Sequence, residues 1–296
     1  MVKIDNLQTE KRNLKTMELD ALSTKEFLSI MNEEDQKVAI AVKEALPEIE
    51  EAVKIIIKAL KSQGRLIFIG AGTSGRLGVI DAAECMPTFG TSDEVLGLIA
   101  GGPSAFLQAK EGAEDSVALA QEDLTSINLT AKDVVVGAAA SGRTPYVIGA
   151  LDYARANGAK AIAVACNKGS EIGKHADIAI EVDNGPEVLT GSTRLKAGTS
   201  QKLIFNMLTT ASMVGIGKVY KNLMVDVKAT NLKLVERSKR IIMTAAECDY
   251  ETAEKYWELS GHYPKAAIVM ILTGVDKDEA LRRLDQSEGF VRAAIK

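Results

Sequence analysis

The chain is poor in the residues that most often do redox and metal chemistry. Its 296 residues include two histidines and three cysteines. Cys85, Cys166 and Cys248 are scattered, without CxxC or comparable ligand spacing. No metal centre or disulfide framework is expected, and a reducing compartment is. A surplus of positive charge is also missing. The net charge of −4 argues against a general affinity for nucleic acid or anionic membrane, and leaves room only for a local basic pocket. Long apolar runs are absent too. The run from Ala266 to Leu272 is far shorter than the roughly 20 residues that span a bilayer. The N-terminal stretch MVKIDNLQTEKRNLK is polar and has no apolar core, so no signal peptide is expected and a cytoplasmic location is.

What the chain does contain is short apolar runs alternating with helical patterns. RLIFI (65–69), VLGLI (95–99), DVVVGA (133–138), KAIAVA (160–165) and IAIEV (178–182) read as strands. Helices are expected near 75–86, 104–125, 145–157 and 170–175, followed by a long one from about 193 to 214. Strands that are apolar throughout and separated by helices predict an α/β fold, a doubly wound parallel sheet covered on both faces. Ahead of the sheet, Ser23-Thr24-Lys25-Glu26 is a capping box. Pro47 should kink or restart a helical stretch from about 35 to 62, which Gly64 ends. Beyond Lys228 no strand is evident, and four helices are expected near 229–246, 250–260, 264–273 and 276–295. The domain reading is an N-terminal helical segment (1–50), a sheet domain (51–228) and a small C-terminal helical module (229–296).

Ligands of parallel sheets bind beyond the carboxyl ends of the strands. There Gly70-Ala71-Gly72-Thr73-Ser74-Gly75 spells G-x-G-x-x-G, the dinucleotide fingerprint. Its context fails. A dinucleotide site needs an acidic residue closing the second strand, and here that strand runs into Ala100-Gly101-Gly102, with Asp93 and Glu94 at the wrong end. No GK[ST] follows, so the loop is not a Walker A motif either.

The loop is instead rich in hydroxyls, Thr73 and Ser74. Ala140-Ser141-Gly142-Arg143-Thr144-Pro145 repeats the theme, with Thr144 suited to an N-cap and Pro145 to a first helical turn. Thr190-Gly191-Ser192-Thr193-Arg194-Leu195-Lys196 opens the long helix in the same style. Any one such loop can be a plain helix cap. Three of them, two at strand ends of one sheet, point to a compact phosphate held by hydroxyls and helix-terminal amides. With no acidic cluster for a metal, a phosphomonoester fits better than a nucleoside triphosphate. Arg76 and Arg143 suit either phosphate neutralisation or a carboxylate at a subunit interface. His175 and His262 are read as structural or surface residues, and Trp257 as packing in the helical module.

The motifs GAGTSGRLG, DAAEC-x-PT-x-G, GLIAGG, EGAED, NLTAKDVVVG-x-AASGRTPYV, TGSTR-x-KAGT-x-QK and NLMVDV-x-ATN-x-KL follow one another from roughly 65 to 235. Together with the RRLDQ…GF-x-R ending they resemble the N-acetylmuramic acid 6-phosphate etherases, a family of the SIS (sugar isomerase) superfamily. The resemblance implies an SIS fold of the flavodoxin-like type, a homodimer with sites at the subunit interface, and a UBA-like C-terminal module. It implies cleavage of the D-lactyl ether of N-acetylmuramic acid 6-phosphate, a step in cell-wall sugar recycling, with no cofactor and no metal. Its two catalytic glutamates match Glu84 in DAAEC, as acid on the lactyl oxygen, and Glu114 in EGAED, as base at C2. Thr73, Ser74, Ser141, Arg143 and Thr144 become phosphosugar ligands, with Glu111, Ser192 and Lys196 as further contacts. The similar sugar-phosphate loops of the glucokinase regulatory protein belong to a binding protein, so a non-catalytic phosphosugar regulator is the alternative. An aldose–ketose isomerase would need no acid at C3.

The chemistry asks for two carboxyl groups. In the open-chain aldehyde, C2–H is acidic enough for an enzymic base, and the enolate expels the C3 oxygen if that oxygen is protonated as it leaves. Glu84, between Ala82-Ala83 and Cys85-Met86-Pro87, sits in an apolar run that would raise a carboxyl pKa by desolvation. Glu111, Glu114 and Asp115 crowd one helical stretch, which on its own reads as a solvated face. Distance poses a problem for Glu84. On an unbroken helix it lies about 15 Å beyond Ser74. Either the helix breaks near Gly78 or Glu84 serves the partner subunit's site, and the second is expected.

Overall fold

The computed structural model describes residues 7–108, 110–229 and 231–296. Residues 1–6 of the polar N-terminus, Ala109 within the expected 104–125 helix, and Thr230 lie outside the described residues. The chain forms two compact units. One comprises the described residues up to Ala83 together with Glu94–Leu208, and the other Glu84–Asp93 with Thr209–Lys296. Two helices run through the division.

The first unit opens with α1 (Thr24–Asp35), whose capping box is complete: Ser23 accepts from the Glu26 amide, and Glu26 accepts from the Ser23 amide. α2 (Lys37–Lys43) and α3 (Leu46–Lys61) follow. Pro47 stands in the first turn of α3, where its missing N–H costs nothing. β1 (Leu66–Gly70), β2 (Val95–Ile99), β3 (Val134–Ala139), β4 (Lys160–Ala165) and β5 (Ile178–Glu181) make one parallel sheet in the order β2-β1-β3-β4-β5. Strand order reverses at β1, so the crevice for a ligand opens between the loops that leave β1 and β3. β1 and β3 are buried along their whole length, as their unbroken apolar runs predict.

α4 (Gly72–Phe89) follows β1 without a break. The two glycines that bracket the turn permit close packing: a Cβ on Gly75 would sit 2.4 Å from the Gly70 carbonyl oxygen, and one on Gly70 2.9 Å from that of Ala138. Gly78 does not end the helix. It lets α4 lie on Phe68, whose Cβ would be 2.7 Å from a Cβ there. Phe68 also packs on Phe205, ring centroids 4.7 Å apart, from α9 (Lys196–Gly215). On the other face of the sheet, Tyr146, Val147 and Leu151 of α7 (Pro145–Ala156) bury Ile67 and Val135.

The expected single helix over 104–125 is three pieces: α5 (Ser104–Leu107), a 3-10 turn at Ala113–Asp115, and α6 (Val117–Ser126). The helical path ends at Gln108, in extended backbone, and Gly112, left-handed at φ +75°, leads into the 3-10 turn. α8 (Glu171–Lys174) is a single turn before β5.

The second unit is helical. α10 (Leu232–Ala246), α11 (Tyr250–Leu259), α12 (Pro264–Thr273), α13 (Lys277–Gln286) and α14 (Val291–Ala294) surround one core. Its centre is α12, buried from Pro264 to Met270, which accounts for the apolar run there. The expected last helix is split at Gly289, φ +80°. Trp257 packs into this core, as do Tyr220, Val225 and Val227, so residues before the 228 boundary read from sequence are held with the helices. Among the described residues no helix is long and apolar enough to cross a membrane.

Candidate active site

The first loop is the turn from β1 into α4. Thr73 and Ser74 occupy the first turn of α4, where backbone N–H groups have no acceptor within the helix. Gly72, at φ +53°, opens that turn. The second loop leaves the neighbouring strand β3. Gly142, at φ +72°, is closely backed by Ser170, whose Cβ would be 2.5 Å from a Cβ there. Asn167 Nδ2 donates to the carbonyl oxygens of Ala140 and Ser141 and to Thr9 Oγ1, tying this loop to the N-terminal segment. Thr144 is the N-cap of α7 by position, with Pro145 next, but its hydroxyl makes no capping hydrogen bond. Ser141, Arg143 and Thr144 are all half-buried. Because β1 and β3 are hydrogen-bonded neighbours, the two loops start about 5 Å apart.

A cleft of about 190 Å³ opens beside the first loop, lined by Ala71, Gly72 and Arg76 together with Lys110, Glu111 and Glu114. The break in the expected 104–125 helix is what brings the two glutamates there. On a continuous helix they would sit on a solvated face. In the structure Glu111 and Glu114 flank the left-handed Gly112, exposed, at the mouth of the first loop. Arg76 shares the cleft, with Nε donating to the Phe106 carbonyl (2.9 Å) and Nη2 to that of Ala105 (2.8 Å), so it braces the segment after β2. Lys110 adds a cation that the sequence reading passed over.

The third loop is different. Two amides of the α9 N-terminus, Lys196 and Ala197, already donate to the carboxylate of Glu187, at 3.0 and 2.9 Å. Glu187 is buried, and that burial raises its carboxyl despite the two donors. At the third loop, expected to hold an anion, these two amides thus meet the chain's own carboxylate. Lys196 is also spent internally. It is 1% exposed, and its Nζ donates to Glu34 Oε2 (2.8 Å) and to the Asn184 carbonyl (2.9 Å). Burial would raise the Glu34 carboxyl, but hydrogen bonds and charge from Lys196 and Lys37 outweigh it and hold it at about 2. Ser192 is half-buried in the turn before α9 and does not line the cleft.

Glu84 stands ten residues beyond Ser74 on α4, which does not break at Gly78. It is solvent-exposed, because α4 turns Ala82 and Cys85 inward and leaves position 84 outside. Among the described residues its immediate setting is solvent and not the apolar one its neighbours suggest. No group of three or more His, Cys, Asp and Glu side chains placed to hold a metal occurs among the described residues.

Comparison with known proteins follows the same lines. The family profile of the glucokinase regulatory protein N-terminal SIS domain matches residues 48–155, and that of the SIS domain matches 115–211. The chain is 62% identical to N-acetylmuramic acid 6-phosphate etherase 2 of Lactiplantibacillus plantarum over 293 residues, 99% of each chain. It is 63% identical to N-acetylmuramic acid 6-phosphate etherase of Listeria monocytogenes, again over 99% of each. Among solved structures, a phosphoheptose isomerase from Francisella tularensis superposes with a TM-score of 0.53 at 16% identity, over 65% of this chain and all of that one. At that identity the likeness speaks for the fold.

Proposed function

The chain belongs to the N-acetylmuramic acid 6-phosphate etherase family, carbon–oxygen lyases on an SIS fold, and from that premise we propose how its residues cleave the D-lactyl ether of N-acetylmuramic acid 6-phosphate. The observation that carries the assignment is Glu114 lining the same cleft as Ala71 and Gly72, the residues that lead directly into Thr73 and Ser74.

Thr73 and Ser74, with Ser141, Arg143 and Thr144 from the adjacent loop, hold the phosphate at the two helix N-termini. The ring opens to the aldehyde. Glu114 removes the proton from C2, and the charge passes to the aldehyde oxygen as an enolate. The enolate re-forms its carbonyl as the C3–O bond breaks, and Glu84 protonates the departing lactyl oxygen. Water then adds across the C2–C3 double bond, its oxygen to C3 and its proton to C2. Substrate plus water thus gives N-acetylglucosamine 6-phosphate and D-lactate, with no net oxidation. Glu111 is placed to contact the sugar hydroxyls. The regulator alternative is not favoured, since the full-length relatives carry the etherase name.

The cleft supports a homodimer. At about 190 Å³ it is smaller than the roughly 300 Å³ at which small-molecule pockets begin, which fits a site completed by a second subunit. The unbroken α4 supports the companion reading, that Glu84 acts in the partner's site. Three cysteines outside any disulfide, two of them buried, and a phosphorylated substrate fit the cytoplasm.

Mixing Glu84→Ala and Glu114→Ala subunits tests this. Each is inactive alone. After subunit exchange, random pairing in a two-fold dimer restores about a quarter of the wild-type D-lactate release. No recovery, with exchange confirmed, would return Glu84 to its own subunit's site.

A further inference from the structure

Ser74 has a buried partner on α9. Its Oγ donates to Oε1 of Gln201 across 2.8 Å. Gln201 is 1% exposed and Ser74 7%. In this arrangement the hydroxyl's only proton is given to an amide, while the amide's own donor, Nε2, has no partner among the described residues. For anion capture the polarity is reversed. A phosphate oxygen only accepts, so Ser74 serves it only when that proton is turned outward. A buried amide N–H without an acceptor is itself an unfavourable group.

The side chain can reverse both defects without changing shape. Turned by half a rotation about its last bond, Gln201 presents Nε2–H to Ser74 Oγ, and the serine proton is released. The group then left without a partner is a carbonyl oxygen, which proteins tolerate better than an orphan N–H. α9 is held close enough for this role to be precise. At Gly198, one turn before Gln201, a Cβ would lie 3.4 Å from the methyl of Thr73.

We infer that Gln201 is a positioning residue for phosphate: with its Nε2–H presented to Ser74 Oγ, its amide donates to that hydroxyl and aims the hydroxyl's proton at a phosphate oxygen. The inference rests on the reading of Ser74 as a phosphate ligand. It separates Gln201 from ordinary packing, because its effect passes entirely through one hydroxyl.

The test is a double-mutant cycle with inorganic phosphate as the probe. Wild type, Gln201→Met, Ser74→Ala and the double variant are titrated by calorimetry, alongside D-lactate release. Gln201→Met keeps the length of the side chain and removes both its hydrogen-bonding atoms. The expected result is about tenfold weaker phosphate binding in Gln201→Met, and no further loss when Ser74 is already alanine. KM should rise by a similar factor, with a smaller change in kcat. Gln201→Glu, which accepts the serine proton and has none to return, should weaken phosphate at least as much. The double variant removes both partners and so leaves no orphan group to unfold it. Equal losses in both serine backgrounds, or unchanged phosphate binding in Gln201→Met and Gln201→Glu, would overturn the inference. Absence of D-lactate release from wild type would overturn the functional reading instead, and the calorimetric cycle would still decide the role of Gln201.

Discussion

The loops that follow β1 and β3 and the loop that precedes α9 are written in the same residues. Each mixes serine, threonine and glycine, and each leads into a helix N-terminus. At β1 the first-turn amides of α4 stand beside a cleft, and at β3 the Thr144 hydroxyl is not used to cap α7. At α9 the equivalent amides are closed by Glu187, and the basic residue that follows is buried against Glu34. A helix N-terminus attracts an anion in both regions. What separates a binding site from a structural joint is whether the chain supplies the anion itself. The first region is therefore where substitutions should cost function, and the second where they should cost stability.

The largest effect is expected at the carboxylate of the first region. Glu114→Gln should lower the rate of D-lactate release by about 100- to 10,000-fold, the usual weight of a general base. Inorganic phosphate should still bind within a few-fold, measured by calorimetry. A rate within threefold of wild type would remove Glu114 from the chemistry.

Next comes the joint. Lys196→Met leaves Glu34 buried with one fewer cation and should cost about 3 kcal/mol of stability, read by denaturant unfolding. The pH dependence has a definite sign. Glu34 is held at about 2 in the folded chain, from an ordinary value of 4.5, so the folded state binds fewer protons than the unfolded one between those values. Its stabilisation is complete above about 4.5 and is lost as pH falls towards 2. In Lys196→Met that acid slope should shrink. A raised KM with unchanged stability would instead return Lys196 to the ligand, as its place in the TGSTR-x-KAGT motif suggests.

The smallest effects sharpen the contrast most. Glu187→Ala leaves the Lys196 and Ala197 amides without their acceptor and should cost about 2 kcal/mol. Thr144→Val should leave the melting temperature within a few degrees and raise KM about tenfold, the loss of one hydrogen bond to a charged group. If the two variants exchange signatures, the assignment of the loops is wrong.

Much of this was legible before any coordinates. The five strands fall within a residue of their expected places, because strands of a parallel sheet covered by helices are short, largely apolar runs. The failed acidic position after β2 was enough to reject a dinucleotide. What escaped depended on a single φ or on distant partners. The chain leaves the helix at Gln108 and turns left-handed at Gly112, so an expected helical face becomes the lip of a cleft. Glu34 meets Lys196 across 162 positions of sequence, and no local pattern marks that pairing. Glu187 lies in an irregular segment nine residues before the amide it caps. Gln201 was visible only as one letter of a motif, and its pairing with Ser74 across 127 positions is set by three-dimensional packing.

The measurement closest to the central claim follows hydrogen at C2. The protein is incubated in deuterated water with N-acetylmuramic acid 6-phosphate, and D-lactate and the C2 position of the sugar product are followed by enzymatic assay and NMR. Elimination by Glu114 predicts D-lactate together with deuterium at C2, and the loss of both in Glu114→Gln. D-lactate released with the original hydrogen still on C2 would contradict the account.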